Sequence, residues 1–183
     1  RLKEALAEGA AGIQVGSLFA FCRESGMMES IRQAAFEKLR NGTAVVHTDA
    51  QASPTGFPFK LLQLPGTHSD MAVTAARKRV CDLGYLREAY ERPDGSLGWR
   101  CASEEEDAYV RKGGAQEDLE GRRCLCNCLL GNIGLGQVRK DGKPEAPIVT
   151  TGDDVATILR VLPEGATGYG AGDVLKFLLS GIA

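Results

Sequence analysis

The stretch Glu8-Gly9-Ala10-Ala11-Gly12-Ile13-Gln14-Val15-Gly16-Ser17-Leu18-Phe19, followed by Glu24-Ser25, decides the reading of the fold. Just upstream, Leu2, Ala5 and Leu6 recur at helical spacing, and Gly9 stands where a left-handed residue stops a helix over residues 1–8. Ala10–Gly16 is short and almost wholly apolar, the pattern of a parallel strand covered on both faces. Ser17–Phe21 then begins a short helix. A longer one is expected from about Met27 to Arg40, with Met28, Ile31, Ala35 and Leu39 on one face and Gly42 just past its end. Helix, buried strand, short turn and helix make the repeat unit of a parallel α/β fold.

The texture changes after residue 43. Thr43–Thr48 is strand-like, Ser53-Pro54-Thr55-Gly56 is a turn, and Phe57–Leu62 reads as extended. A helix rich in Arg and Lys is expected between about 67 and 92, including Ala72–Arg79. Residues 93–150 are dense in Gly, Pro and charge, with turns at Pro93-Asp94-Gly95 and Lys140-Asp141-Gly142-Lys143. Order returns at Thr151, expected to cap a helix with Asp154 in a capping-box position; Val155, Ile158, Leu159 and Leu162 form its apolar stripe. Pro163 and Gly165 end it, and Asp173 opens a last helix through Leu179 that is apolar enough to need a groove. The expected organisation is a first part at 1–42, an appended Cys-containing lobe at 43–150 and C-terminal helices at 151–183 that pack back on the first part.

The chain has 183 residues, of which 43% are hydrophobic and 25% charged, values that exclude a disordered or fibrous chain. It is too short for a complete large α/β barrel of roughly 250 residues. Lys+Arg 22 against Asp+Glu 24 gives a net charge of −2, so there is no electrostatic footprint for nucleic acid. No apolar run approaches the roughly 20 residues of a membrane helix. The chain opens Arg1-Leu2-Lys3-Glu4 without an initiator Met or signal pattern, and reads as cut from something longer.

Six cysteines stand at 22, 81, 101, 124, 126 and 128, a density that fits a reducing cytoplasm better than a secreted scaffold. On an extended strand the C-x-C step of Cys124-Leu125-Cys126 would point both thiols to one face, and Cys81 and Cys101 would complete a four-sulfur site. Free cysteines packed in a core are the plainer reading.

The segment from Glu8 to Phe19 with Glu24-Ser25 resembles the last barrel unit of the nitronate monooxygenase (2-nitropropane dioxygenase) family, FMN-dependent (β/α)8-barrel enzymes. The stretches SPTGFPFK, RVCDLGYLR, GRRCLCN and TTGDDV resemble a long-tailed bacterial branch of that family. The resemblance implies the last βα unit of a TIM-type barrel, then an irregular α+β lobe and C-terminal helices. It implies FMN as cofactor and a small-molecule substrate, with Gln14, Val15, Gly16 and Ser17 matching the flavin-contacting run. A homo-oligomer fits an exposed strand edge.

The physics of such a site is general. In α/β barrels, phosphates commonly bind at the loops after strands seven and eight, at the N-terminus of a short extra helix. Gly16 lets backbone approach an anion closely, Ser17 adds a hydroxyl donor, and the amides of Leu18 and Phe19 follow as first-turn donors. The family's catalytic base is a histidine on an earlier strand. His47 and His68 both fall after the matched strand, so no catalytic residue is assigned in this chain. Flavin-dependent enoyl-thioester reductases carry much the same phosphate pattern and are the first alternative. A non-enzymatic, Cys-rich zinc module is the second.

Overall fold

The computed structural model describes residues 2–180, and at its start helix α1 (Leu2–Ala7) ends as the sequence demands. Gly9 has φ +88°, its N–H donates to Leu6 O at 3.1 Å, and Ala10 N–H donates to Ala5 O at 2.9 Å. This paired closure satisfies carbonyls that the last turn would leave open. Helices α2 (Ser17–Ala20) and α3 (Glu29–Arg40) form where expected. The buried face of α3 is Ile31, Arg32, Ala35, Phe36 and Leu39, and Gly42 at φ +65° closes it.

The segment between α1 and α2 corrects the sequence reading. Residues 10–16 join no sheet, and Ile13 is 39% exposed. An apolar parallel strand needs neighbours on both sides to use its backbone groups, and no described strand lies beside this one. The class is mixed α/β, with two two-stranded antiparallel sheets and no closed barrel among the described residues.

By contacts the chain divides into two units, one running to Val45 and resuming at Thr151, the other spanning Val46–Thr150. The first unit gathers α1–α3, a 3-10 helix over Val155–Arg160 and helix α7 (Ala171–Leu179). Tyr169 is fully buried at its centre, donating its hydroxyl to Leu18 O at 2.7 Å and packing on Phe36 with ring centroids 5.9 Å apart. The expected capped α-helix at 151–162 is the 3-10 helix instead, and Thr151 caps nothing there because its hydroxyl donates to Ser17. With three residues per turn, Val155, Ile158 and Val161 stack on one side and are buried, while Leu159 is turned out and 40% exposed. Asp173 lies inside α7 and accepts the Gly170 N–H at 2.9 Å, so the helix starts two residues earlier than expected.

The second unit holds strands β1 (Val46–Asp49) and β2 (Phe59–Leu62), paired with Val46 opposite Leu62. Residues 147–150 run beside β2, with Leu62 N–H donating to Val149 O at 2.9 Å. The expected long basic helix is reduced to α4 (Met71–Ala76), capped by the Asp70 side chain. Lys78–Arg87 is irregular, with Arg79 donating to Glu104 O at 3.1 Å and Arg87 folding back on Cys81 O at 2.9 Å. Strands β3 (Glu88–Glu91) and β4 (Leu97–Arg100) form a hairpin turned by Pro93-Asp94-Gly95, with Gly95 at φ +77°. Helices α5 (Glu106–Arg111) and α6 (Leu125–Gly131) complete the unit, and Ala52, Leu61, Cys124, Leu125, Cys128 and Ile148 form its core. No described helix is long and apolar enough to cross a membrane.

Candidate functional site

The four residues singled out for a phosphate, Gln14, Val15, Gly16 and Ser17, lie together along one wall of a cleft of about 530 Å³ in the first unit. Gly152, Asp154 and Arg160 also line it, with Gly152 N–H donating to Ser17 Oγ at 2.9 Å. A guanidinium is held over the Phe177 ring, with Arg160 Cζ 4.8 Å from the ring centroid, and Lys3 adds a second cation to the lining. The size is that of a small-molecule site.

Each conspicuous residue of the motif can be asked whether the chain itself uses it. Glu24 does structural work: its carboxylate accepts the Ala171 N–H at 2.9 Å at the start of α7, and that bond holds its carboxyl below the usual range. Ser25 donates to Cys22 O at 2.9 Å and shapes the turn. The amide of Phe19 donates to Gly16 O at 3.1 Å, so it is not the open donor the sequence implied. The amides of Ser17 and Leu18 precede the first intrahelical bond and carry that role.

Ser17 has a double position. Its Oγ accepts from Gly152 N–H at 2.9 Å and from the Thr151 hydroxyl at 3.0 Å, which fixes the start of the 151–160 segment against α2. Accepting both bonds leaves the Ser17 proton to point elsewhere. Gly16 is different. Its φ of −100° suits any residue, and a Cβ built on it would meet nothing within 4 Å. No packing or backbone demand among the described residues calls for glycine at this position in the cleft. Gln14, exposed beside it, likewise has no internal task that the fold requires. These features fit a group that comes close to backbone at 16, as a phosphate would.

The four expected cysteines are not brought into one cluster. Residues 124–131 form a helix, with Cys124 at its N-cap, so a step of two residues turns Cys126 away from Cys124. Cys128, one turn on, shares the core with Cys124 instead. Cys81 is half-buried, and its carbonyl accepts from Arg87 Nη2 at 2.9 Å.

Sequence reasoning missed a second polar centre. Glu145, buried in the second unit, accepts from Arg77 at 2.8 and 2.9 Å, from Asn127 Nδ2 at 2.9 Å and from Arg139, and faces His68 Nε2 at 3.3 Å. Burial alone would raise its carboxyl, but the bonds from His68, Arg77 and Arg139 outweigh that and hold it far below the usual range. Ligand atoms of His68, Cys128 and Glu145 lie within 4.8 Å of one another. Two guanidiniums already neutralise that carboxylate, however, and burial pushes the Cys128 thiol far up, so the trio is a buried ion cluster and a poor cation site. Nothing local in the sequence announces it, since Arg77 and Glu145 are 68 residues apart. His47 is exposed on β1 and neither histidine lines the cleft.

No family model, curated protein or solved structure matches this chain.

Proposed function

We propose that this chain is the C-terminal part of an FMN-dependent oxidoreductase that oxidises nitronates or nitroalkanes with dioxygen. On this reading, residues 1–42 are the last βα unit of a (β/α)8 barrel, and the chain's cleft takes the flavin phosphate. One observation supports it above the rest: the cleft wall carries a glycine at 16 that the chain's own packing does not need. The unpaired segment at 10–16 adds to it, since its apolar side chains and free edges suit a strand whose neighbours lie outside the described residues.

In this site the amides of Ser17 and Leu18 and the Ser17 hydroxyl would donate to phosphate oxygens, with Arg160 and Lys3 supplying positive potential. Val15 would hold the strand-to-helix corner, and Gln14 would present its amide to the bound group. The flavin, when bound, supplies the redox chemistry. The cleft is lined by no histidine, so this chain is assigned phosphate binding and orientation and no proton transfer.

The test begins with protein expressed from the whole coding sequence that contains this chain. It should purify yellow with stoichiometric FMN and take up oxygen when given an alkyl nitronate. Gly16→Val should strip the flavin without unfolding the protein. A colourless protein, or full flavin retention by Gly16→Val, refutes the reading. Consumption of NAD(P)H with an enoyl thioester, and no oxygen uptake with nitronate, assigns the reductase activity instead. This chain alone should bind FMN weakly, because it offers one wall of the site.

A further inference from the structure

The stretch TTGDDV begins at Thr150, and its second and third residues converge on one atom of the Gln14–Ser17 run. The Thr151 hydroxyl donates to Ser17 Oγ at 3.0 Å, and the Gly152 N–H donates to the same oxygen at 2.9 Å. A serine oxygen carries two lone pairs and one proton, so these donors fill its accepting capacity. The proton is left with the remaining tetrahedral direction, and no described residue accepts it.

The two donors are placed differently. Ser17 and Gly152 line the cleft and Thr151 does not, so Thr151 acts on a bound group only through Ser17. A Cβ built on Gly152 would stand 3.3 Å from Ser17 Oγ and 2.9 Å from Asp154 Oδ1. Glycine therefore serves a close approach at 152, in contrast to 16, where a Cβ meets nothing within 4 Å. Lys3, Asp154 and Arg160 are the charged side chains of the lining, and two of the three favour an anion.

We propose, resting on the flavin-phosphate reading of the cleft, that Thr151 and Gly152 are positioning residues that make Ser17 a preset donor for the phosphate. With both lone pairs taken, the Ser17 hydroxyl does not spend its proton on the chain and needs no rearrangement when the anion arrives. The effect runs in both directions. A hydroxyl that donates to an anion becomes a better acceptor, so a bound phosphate strengthens the Thr151 and Gly152 bonds. Coupling of this kind is reciprocal: the 151–160 segment seats the phosphate, and the phosphate holds the segment in place.

The experiment uses protein expressed from the whole coding sequence, stripped of flavin and titrated with FMN and with riboflavin, which lacks the phosphate. Wild type should bind FMN more tightly than riboflavin. Thr151→Val keeps the shape and removes the donor; it should weaken FMN about three- to tenfold, the size of one hydrogen bond, and leave riboflavin unchanged. Thr151→Ser keeps the hydroxyl and should restore FMN binding. Gly152→Ala, whose Cβ crowds Ser17 Oγ, should behave like Thr151→Val. Hydrogen exchange on wild type decides the matter should a variant fail to fold: FMN should slow exchange of the Gly152 amide severalfold, and riboflavin should not. Equal affinity of wild type for the two flavins overturns the flavin-phosphate reading and the positioning role with it. If wild type prefers FMN, the positioning role alone is overturned by a Thr151→Val protein that keeps the preference in full or binds both flavins equally less tightly. A Gly152 amide that FMN leaves unprotected overturns it as well.

Discussion

Arg77 holds Glu145 through two parallel bonds, Nε–H and Nη2–H donating to the two carboxylate oxygens at 2.8 and 2.9 Å, with the carboxylate side chain only 3% exposed. Arg139, Asn127 and His68 fill the remaining directions around the same group. The cluster joins the end of α4, α6 and the strand-like residues before Ile148, so the fold of the second unit turns on it.

Removing the carboxylate leaves the buried Arg77 guanidinium without its counter-ion in a low-dielectric site, while Arg139 keeps Asp82. Glu145→Ala should cost about 3–5 kcal/mol in chemical denaturation. The pH dependence has a defined sign. Because the folded carboxyl titrates below its unfolded value of about 4.3, the stabilisation is present above that pH and is lost as pH falls toward the folded value. Wild-type Tm should drop steeply below about pH 4, and Glu145→Gln should flatten that acid limb. An unchanged limb would show that other carboxylates govern it.

Zinc gives an independent check on the same centre. A cation entering between His68, Cys128 and Glu145 would have to displace two guanidiniums and deprotonate a thiol pushed far up by burial. Excess zinc should leave Tm unmoved in wild type. A rise that vanishes in Cys128→Ala would show that the trio is a metal site after all.

The 3-10 geometry at Val155–Arg160 separates two neighbours sharply. Ile158 is fully buried, so Ile158→Asp should cost several kcal/mol by forcing a carboxylate into the core. Leu159 is 40% exposed, and Leu159→Asp should change stability by less than about 0.5 kcal/mol. Equal losses for the two would restore an α-helical register, in which both belong to one stripe.

Gly16→Ala tests the cleft more gently than valine. The added Cβ meets nothing in the chain, and the lost N-cap preference is roughly offset by the entropy removed from the unfolded chain, so stability should stay within about 0.5 kcal/mol. If the proposed flavin site is right, flavin retention by the whole protein falls in this variant. Ser17→Ala is expected to do both kinds of harm, costing about 1–2 kcal/mol of stability as well, since it deletes the acceptor for Gly152 and Thr151.

The local signals were legible where backbone chemistry is local. Gly9, Gly42, Gly95 and Gly142 adopt positive φ at the stops and turns their neighbours predicted, and α2, α3 and the β3–β4 turn follow from caps and periodicity within a few residues. Misreadings occurred where one segment depends on another. Ala10–Gly16 has the composition of a buried strand, but pairing requires a partner, which composition cannot supply. The stretch rich in Arg and Lys reads as a helix between about 67 and 92; Arg77 and Arg79 donate instead to Glu145 and to Glu104 O, and α4 ends at Ala76. Cys124 and Cys126 would share a face only on an extended strand, and the helix that forms there turns them apart.

What the sequence by itself determined is the punctuation of the chain, because glycine conformations, caps and hydrophobic spacing act over a few residues; the run Gln14–Ser17 as an anion site is a proposal that a family resemblance carries. Only the tertiary structure decided that Glu145 gathers two arginines and that none of the described residues fills the space at Gly16. The first depends on segments 68 residues apart being held at hydrogen-bond distance, and in a low dielectric it is that proximity, rather than residue type, that fixes the charge state of the carboxylate.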